Sequence, residues 1–299
     1  MALNAERSSV VLLSDLKAPK EQKFFTSEFS MDTGHDIIVA DSLVKRYGDV
    51  VAVDGLSFRV REGELFAFLG PNGAGKTTTI KMLITLLAPS GGTGIVGGFD
   101  IVKESAAVRR IIGYVPQMIS VDGTLTAYEN LMLMAQLYDI PRKDREERVA
   151  QTLKFLNLET FSSSLVKTFS GGMIRKLEVG QAMIHHPRVL FLDEPTTGLD
   201  PIAKQNVWEH LQHLRDEFGT TIFFSTHNME EAAEVSERVA IMNKGKIAAI
   251  GTVVELKERT AVENASLEDS FLFFTGNASP EKGNFQDIRR ARRTESRLG

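Results

Sequence analysis

Gly70-Pro71-Asn72-Gly73-Ala74-Gly75-Lys76-Thr77-Thr78 has the form G-x-x-x-x-G-K-[ST], a glycine-rich loop whose backbone N–H groups can close around phosphate oxygens. Ahead of it, Glu64 to Leu69 is a short apolar run suited to a buried strand; behind it, Thr77 to Leu87 carries apolar residues at helical spacing. The motif requires that order of strand, loop and helix, because the helix that begins near Gly75 points its positive dipole end at the bound anion. Lys76 supplies a point charge to the β- and γ-phosphate oxygens, and the Thr77 hydroxyl is placed to ligate Mg²⁺. A glycine-rich turn without a ligand is the plain alternative for the loop alone, and the flanking pattern argues against it.

Val189-Leu190-Phe191-Leu192-Asp193-Glu194 is four apolar residues followed by two carboxylates, the way a buried parallel strand delivers acids to the carboxyl edge of its sheet. Taken alone, the pattern reads more readily as a strand ending in a solvated acidic turn. After a phosphate loop, it reads as an acid pair in which Asp193 serves the Mg²⁺ shell and Glu194 orients or deprotonates the attacking water. Between the two motifs lies Phe169-Ser170-Gly171-Gly172-Met173. Ser170 suits an N-cap, and the paired glycines expose backbone N–H groups at a second helix N-terminus.

With these elements in place, the chain resembles the ATP-binding cassette (ABC) ATPases, Ser170-Gly171-Gly172 being similar to their signature loop. Other motifs follow in the family's order. Tyr47, in Lys45-Arg46-Tyr47-Gly48, looks like the aromatic that stacks on adenine. Gln117, in Tyr114-Val115-Pro116-Gln117, resembles the Q-loop glutamine. Gly198-Leu199-Asp200 is similar to the D-loop, and His227, in Ser225-Thr226-His227-Asn228, to the switch histidine. Each has a bland alternative by itself: an edge-strand aromatic, a loop amide, a helix cap, a polar strand end. The segment from Gly92 to Gln117, the Val121-Asp122 step, the Ser170-Gly171-Gly172-Met173 variant and the run Leu267 to Gly276 resemble the bacterial drug-resistance exporters within that family. Met173 departs from the commoner glutamine of the signature loop and removes a side-chain amide there.

The resemblance implies an α/β fold: a P-loop NTPase core with an antiparallel β subdomain and a helical signature subdomain. It implies ATP and Mg²⁺ as ligands, with Thr77, Gln117 and Asp193 about the metal, Glu194 and His227 catalytic, and Asp200 coupling two sites. It also implies a head-to-tail pair of identical chains and separate transmembrane permease subunits, on which the ATPase powers substrate efflux. An importer subunit or a soluble ABC ATPase outside transport is the alternative.

The remainder of the chain sets bounds. With 299 residues, 42% hydrophobic and 25% charged, it is ordinary for a globular protein. A net charge of −4 provides no general attraction to nucleic acid. No apolar run reaches the ~20 residues of a membrane span, and no secretory pattern opens the chain, so a cytoplasmic location is expected, and the resemblance implies a peripheral position on the inner face of the membrane through the permease. The absence of cysteine excludes disulfides and thiol catalysis. Residues 1–35 read as a weakly ordered extension, 36–257 as the ATPase domain, 258–279 as an exporter-type segment and 280–299 as a basic tail. A stripe of Tyr128, Leu131, Met134 and Leu137 reads mainly as core packing, and His185 and His186 as surface residues closing a helix.

Overall fold

The apolar run ahead of the glycine loop forms β3 (Leu65–Leu69), buried at every position. The computed structural model describes residues 36–276. A strand buried on both faces belongs in the middle of a sheet covered on both sides. β3 pairs in parallel with β8 (Thr221–Thr226) and β9 (Arg238–Asn243). On the β8 side follow β7 (Val189–Asp193) and β6 (Ile112–Val115), also parallel; β10 (Lys246–Thr252) closes the other edge as a hairpin with β9. The sequence-spaced acids and the phosphate loop are thereby placed on strands separated by a single neighbour, β8.

A second sheet, ordered β2-β1-β4-β5, is antiparallel and consists of β1 (Asp36–Tyr47), β2 (Val50–Arg61), β4 (Gly91–Val96) and β5 (Phe99–Asp100). β1 runs well past the expected Ile37 to Ala40. A register shift between Ala40 and Leu43, with Ser42 at φ +53°, absorbs the break in alternation and returns Leu43 to the core. Phe58 of β2 joins the two sheets, its ring 5.2 Å from Phe68 and 6.0 Å from Phe223.

After the loop, α1 spans Lys76–Leu83, ending before the expected Leu87 because Thr85 turns into the left-handed region at φ +65°. A short α2 (Ser105–Ile111) leads into β6. The helical layer comprises α3 (Ala127–Leu137), α4 (Arg142–Phe155) and α5 (Gly171–Met183), packed through Leu131, Ala135, Val149, Leu153 and Leu177. The expected α3 stripe is corrected here: Ala127, Asn130, Leu131 and Ala135 are buried, whereas Tyr128 and Leu137 are exposed. Three-residue steps each fall short of a helical turn, so residues 128 and 137 point about 180° apart and cannot share a face.

Downstream, α6 (Pro201–Phe218), α7 (Met229–Val235), α8 (Val253–Glu258) and α9 (Leu267–Phe274) join the end of α5 on the face of the parallel sheet opposite α1. Helix α8 runs across residue 257, and Leu267 and Phe271 of α9 join the apolar cluster of Leu65, Val207, Trp208 and Phe224. The expected extension at 1–35 and basic tail at 280–299 lie outside the described residues.

His185 is more than a helix end. Its ring stacks on Tyr138 with centroids 3.6 Å apart, and Nε2 donates to the Ile112 carbonyl at 3.0 Å. Burial, helped by the Arg148 guanidinium, outweighs that hydrogen bond and pushes its pKa down to about 4. The native ring is therefore neutral where the unfolded one, titrating near 6.5, takes a proton. Its contribution to stability is complete above the unfolded value and is lost as the pH falls toward about 4. Thermal melts across this window should show stability falling with acidity, and His185→Gln should make the slope shallower; an unchanged slope would reject the assignment.

Candidate functional site

The loop between β3 and α1 is shaped by contacts that leave no room for side chains. A Cβ on Gly70 would lie 2.4 Å from the Met242 carbonyl oxygen. Gly75 holds φ at +106°, where a Cβ would lie 2.6 Å from the Ala52 oxygen. Glycine is therefore required at both positions by close backbone approach, and at Gly75 by conformation as well. Gly245, in the β9–β10 turn, donates its N–H to the Ala74 carbonyl at 2.9 Å and pins the loop from outside. Lys76, at the first turn of α1 and 5% exposed, donates Nζ to the Gly70 and Pro71 carbonyls at 2.8 and 3.2 Å.

The parallel register of β7 and β8 sets Asp193 opposite Ser225. The Ser225 hydroxyl donates to Asp193 Oδ1 at 2.5 Å, and Glu194 N–H reaches both the Ser225 carbonyl and its Oγ at 3.1 Å. Glu194 itself stands at φ +51°, just past the strand, with its carboxylate buried. Oε1 lies 3.4 Å from Lys76 Nζ. Oε2 accepts from His227 Nδ1 and Thr197 Oγ1 at 3.1 Å each, and from Gln117 Nε2 at 3.4 Å. Burial opposes ionisation of Glu194, but the His227 hydrogen bond, the Lys76 charge and the Thr197 hydroxyl outweigh it and hold the pKa below the usual carboxylate value.

Lys76, Gln117, Asp193, Glu194 and His227 are thus drawn together from four separate stretches of chain. Sequence reasoning missed Thr197 and Ser225 as members of this cluster. Their signal was weak: Thr197 lies three residues after Glu194, and Ser225 is a polar residue ending the apolar run Ile222-Phe223-Phe224. Also missed was buried Glu231 at the start of α7, which accepts hydrogen bonds from Thr196, Trp208 and Thr226 and ties the segment after Glu194 to the segment before His227.

The Gln117 segment is held from the helical layer. Arg175 donates to the Pro116 carbonyl at 2.8 Å and pairs with Glu178 at 3.0 Å, while Glu178 Oε1 accepts from Ser120 N–H and Oγ at 2.6 and 3.0 Å. Both charged side chains of this pair are buried.

Other expected site residues stand apart from the Glu194 cluster. Ser170 caps α5, its Oγ accepting from Met173 N–H at 3.3 Å. Gly171 and Gly172 pack close to Leu199 and Ala203, beyond Glu194 in the chain. Met173 packs against the apolar core of the helical layer. Asp200 is the N-cap of α6, accepting from Ala203 N–H at 2.9 Å. Tyr47 is 49% exposed at the end of β1, with the Lys45 ammonium 5.3 Å above its ring. Among the hydrogen bonds of the described residues, none joins Ser170, Tyr47 or Asp200 to Lys76 or Glu194.

Comparison with known proteins bears on this geometry. Residues 53–197 match the family model described as "ABC transporter". The linearmycin resistance ATP-binding protein LnrL of Bacillus subtilis (strain 168) is 40% identical over 75% of this chain and 71% of its own length. The daunorubicin/doxorubicin resistance ATP-binding protein DrrA of Streptomyces peucetius is 44% identical over 74% of this chain and 66% of its own. A solved structure described as the ATP binding subunit of an ABC transporter superposes with a TM-score of 0.72 at 29% identity, covering 80% of this chain and 99% of that one. By sequence and by fold, the chain belongs to the ABC transporter family, as a nucleotide-binding ATP hydrolase similar to drug-resistance ATP-binding proteins.

Proposed function

We propose that this chain is the ATP-hydrolysing subunit of a bacterial exporter and works as a head-to-tail pair beneath separate transmembrane subunits. The observation that carries the chemistry is the buried Glu194 carboxylate, with Lys76 on one oxygen and His227, Thr197 and Gln117 on the other. The direction of transport rests on the relatives' printed association with drug resistance. Because those relatives are named for different compounds, we assign cargo choice to the membrane subunits.

In this reading the N–H groups of Gly70 to Thr78 cradle the phosphates at the α1 N-terminus, and the Lys76 ammonium moves from backbone carbonyls to phosphate oxygens. Glu194 is held ionised and can accept a proton from the attacking water. His227 steadies Glu194 and lies beside the γ-phosphate position. Tyr47 offers an exposed aromatic face for the adenine ring. Among the described residues, no group of three or more His, Cys, Asp or Glu gathers as a metal cage. One acid, Asp193, with the Thr77 hydroxyl and the Gln117 amide oxygen, suits Mg²⁺, which takes few protein ligands and completes its shell from phosphate and water. When bound, Mg²⁺ neutralises phosphate charge.

The second copy is called for by the residues that one copy leaves apart. Ser170, Gly171 and Gly172 present a capped helix N-terminus away from their own Lys76, and we assign them to the γ-phosphate held by the partner's loop, with Asp200 linking the two sites. Among the described residues no helix is long and apolar enough to cross a membrane. We place the translocation path in permease subunits and the ATPase on the inner membrane face beneath them. Residues 36–257 are assigned as the ATPase domain, with the following segment docked on its core through α9.

Replacing Glu194 with Gln keeps side-chain volume while removing the carboxylate, and should lower turnover by about 10² or more in a phosphate-release assay. Wild-type turnover under saturating Mg²⁺-ATP would refute the role of Glu194. Lys76→Ala should severely weaken nucleotide binding in a titration, whereas Tyr47→Ala should cost only about 1 kcal/mol of stacking. The Glu194→Gln protein should accumulate as a dimer in Mg²⁺-ATP by sedimentation, and adding Ser170→Arg should abolish the dimer without abolishing nucleotide binding. A nucleotide-stabilised dimer indifferent to Ser170→Arg would rule out the shared site.

A further inference from the structure

The hydroxyl of Ser225 touches both acids of the site. It lies at the end of β8, fully buried, in a position that the parallel register sets against Asp193. A hydroxyl has one proton to donate and two lone pairs to offer. Here the partners fix how each is used. The Ser225 proton goes to Asp193 Oδ1 at 2.5 Å. The Glu194 amide can only donate, so it enters a lone pair of the same oxygen at 3.1 Å. One side chain thereby orients the Asp193 carboxylate and braces the backbone of Glu194, which stands in the left-handed region at φ +51° where a residue with a Cβ is disfavoured.

We propose that Ser225 is a positioning residue for the nucleotide site, and that its hydroxyl sets the strength of the magnesium requirement by holding Asp193 in one orientation. This rests on the reading of Asp193 and Glu194 given above. The Ser225 bond holds Oδ1 and so fixes the orientation in which the Asp193 carboxylate would serve a metal shell. Without the hydroxyl, the buried Asp193 carboxylate loses a charge-assisted hydrogen bond and is free to rotate, and Glu194 N–H keeps only the Ser225 carbonyl. Small size matters as well as polarity: the three residues before Ser225 are apolar and fully buried, so a larger polar group has no room to reach the same two partners.

The test uses the full chain with Ser225→Ala and Ser225→Cys. Cysteine nearly preserves the volume but donates weakly, so it removes the interaction while retaining the packing, and it keeps the test available if the alanine protein misfolds. A non-hydrolysable ATP analogue is titrated at a series of Mg²⁺ concentrations and in EDTA, and kcat and KM are measured beside it. Expected are unchanged affinity in EDTA, a rise of about tenfold in the Mg²⁺ concentration giving half-maximal binding, and a drop of about tenfold in kcat. A folded Ser225→Cys protein with wild-type Mg²⁺ dependence overturns the proposal, as does a loss of affinity of equal size with and without Mg²⁺. The underlying reading fails separately: an Asp193→Asn protein with wild-type Mg²⁺ dependence would remove the metal role of Asp193, whereas an altered Asp193→Asn beside an unaltered Ser225→Cys removes only the role of Ser225.

Discussion

Burying a carboxylate at the edge of a parallel sheet is unfavourable unless opposite charge and hydrogen-bond donors surround it. Glu194 meets that condition only because four strands keep their order and register. Lys76 follows β3, Gln117 follows β6, His227 follows β8, and Glu194 itself follows β7. Slipping β7 against β8 by one residue would separate Asp193 from Ser225 and turn the following acid away from its partners. The apolar centre of the sheet, with Phe66, Phe68 and Phe223 in mutual contact and Phe191 against Phe223, opposes such a slip. Packing in the middle of the sheet and chemistry at its edge are therefore one constraint.

A second buried charge pair extends this order into the helical layer. Arg175 and Glu178 are three residues apart on α5; Arg175 donates to the Pro116 carbonyl, and Glu178 accepts from the Ser120 N–H and Oγ. Removing either would leave the other charge buried without a counter-ion, a loss of about 3–5 kcal/mol for pairs of this kind. The segment carrying Gln117 is thus fastened to the helix capped by Ser170. Displacement of α5 has a direct route to the Glu194 carboxylate through Gln117.

Glu231, at the start of α7, plays a corresponding part. Its carboxylate collects Thr196, Trp208 and Thr226, so the segment after Glu194, the helix after Asp200 and the strand before His227 share one buried acceptor. The three networks centre on Glu194, where nucleotide is proposed to react, on the Arg175–Glu178 pair of α5, and on Glu231 at the start of α7. Each ties together segments distant in sequence.

That distance separates what the sequence by itself determined from what only the tertiary structure decided. Short-range patterns were readable because their physics is short-range: an apolar run before a glycine loop, four apolar residues before Asp193, Ser170 and Asp200 ahead of helices. Several of these patterns carried the family resemblance as well. The buried face of α3 was not readable, because three-residue spacing drifts around the helix and the choice among its faces belongs to α4 and α5. His185 was not, because its partners Tyr138 and Ile112 lie far away in the chain. Nor were Ser225, Thr197 and Glu231, whose importance comes from the lone pairs and protons they meet. A hydrogen bond depends on position to a few tenths of an ångström, and position across a sheet is set by strand order and register, which the packing of the whole core decides.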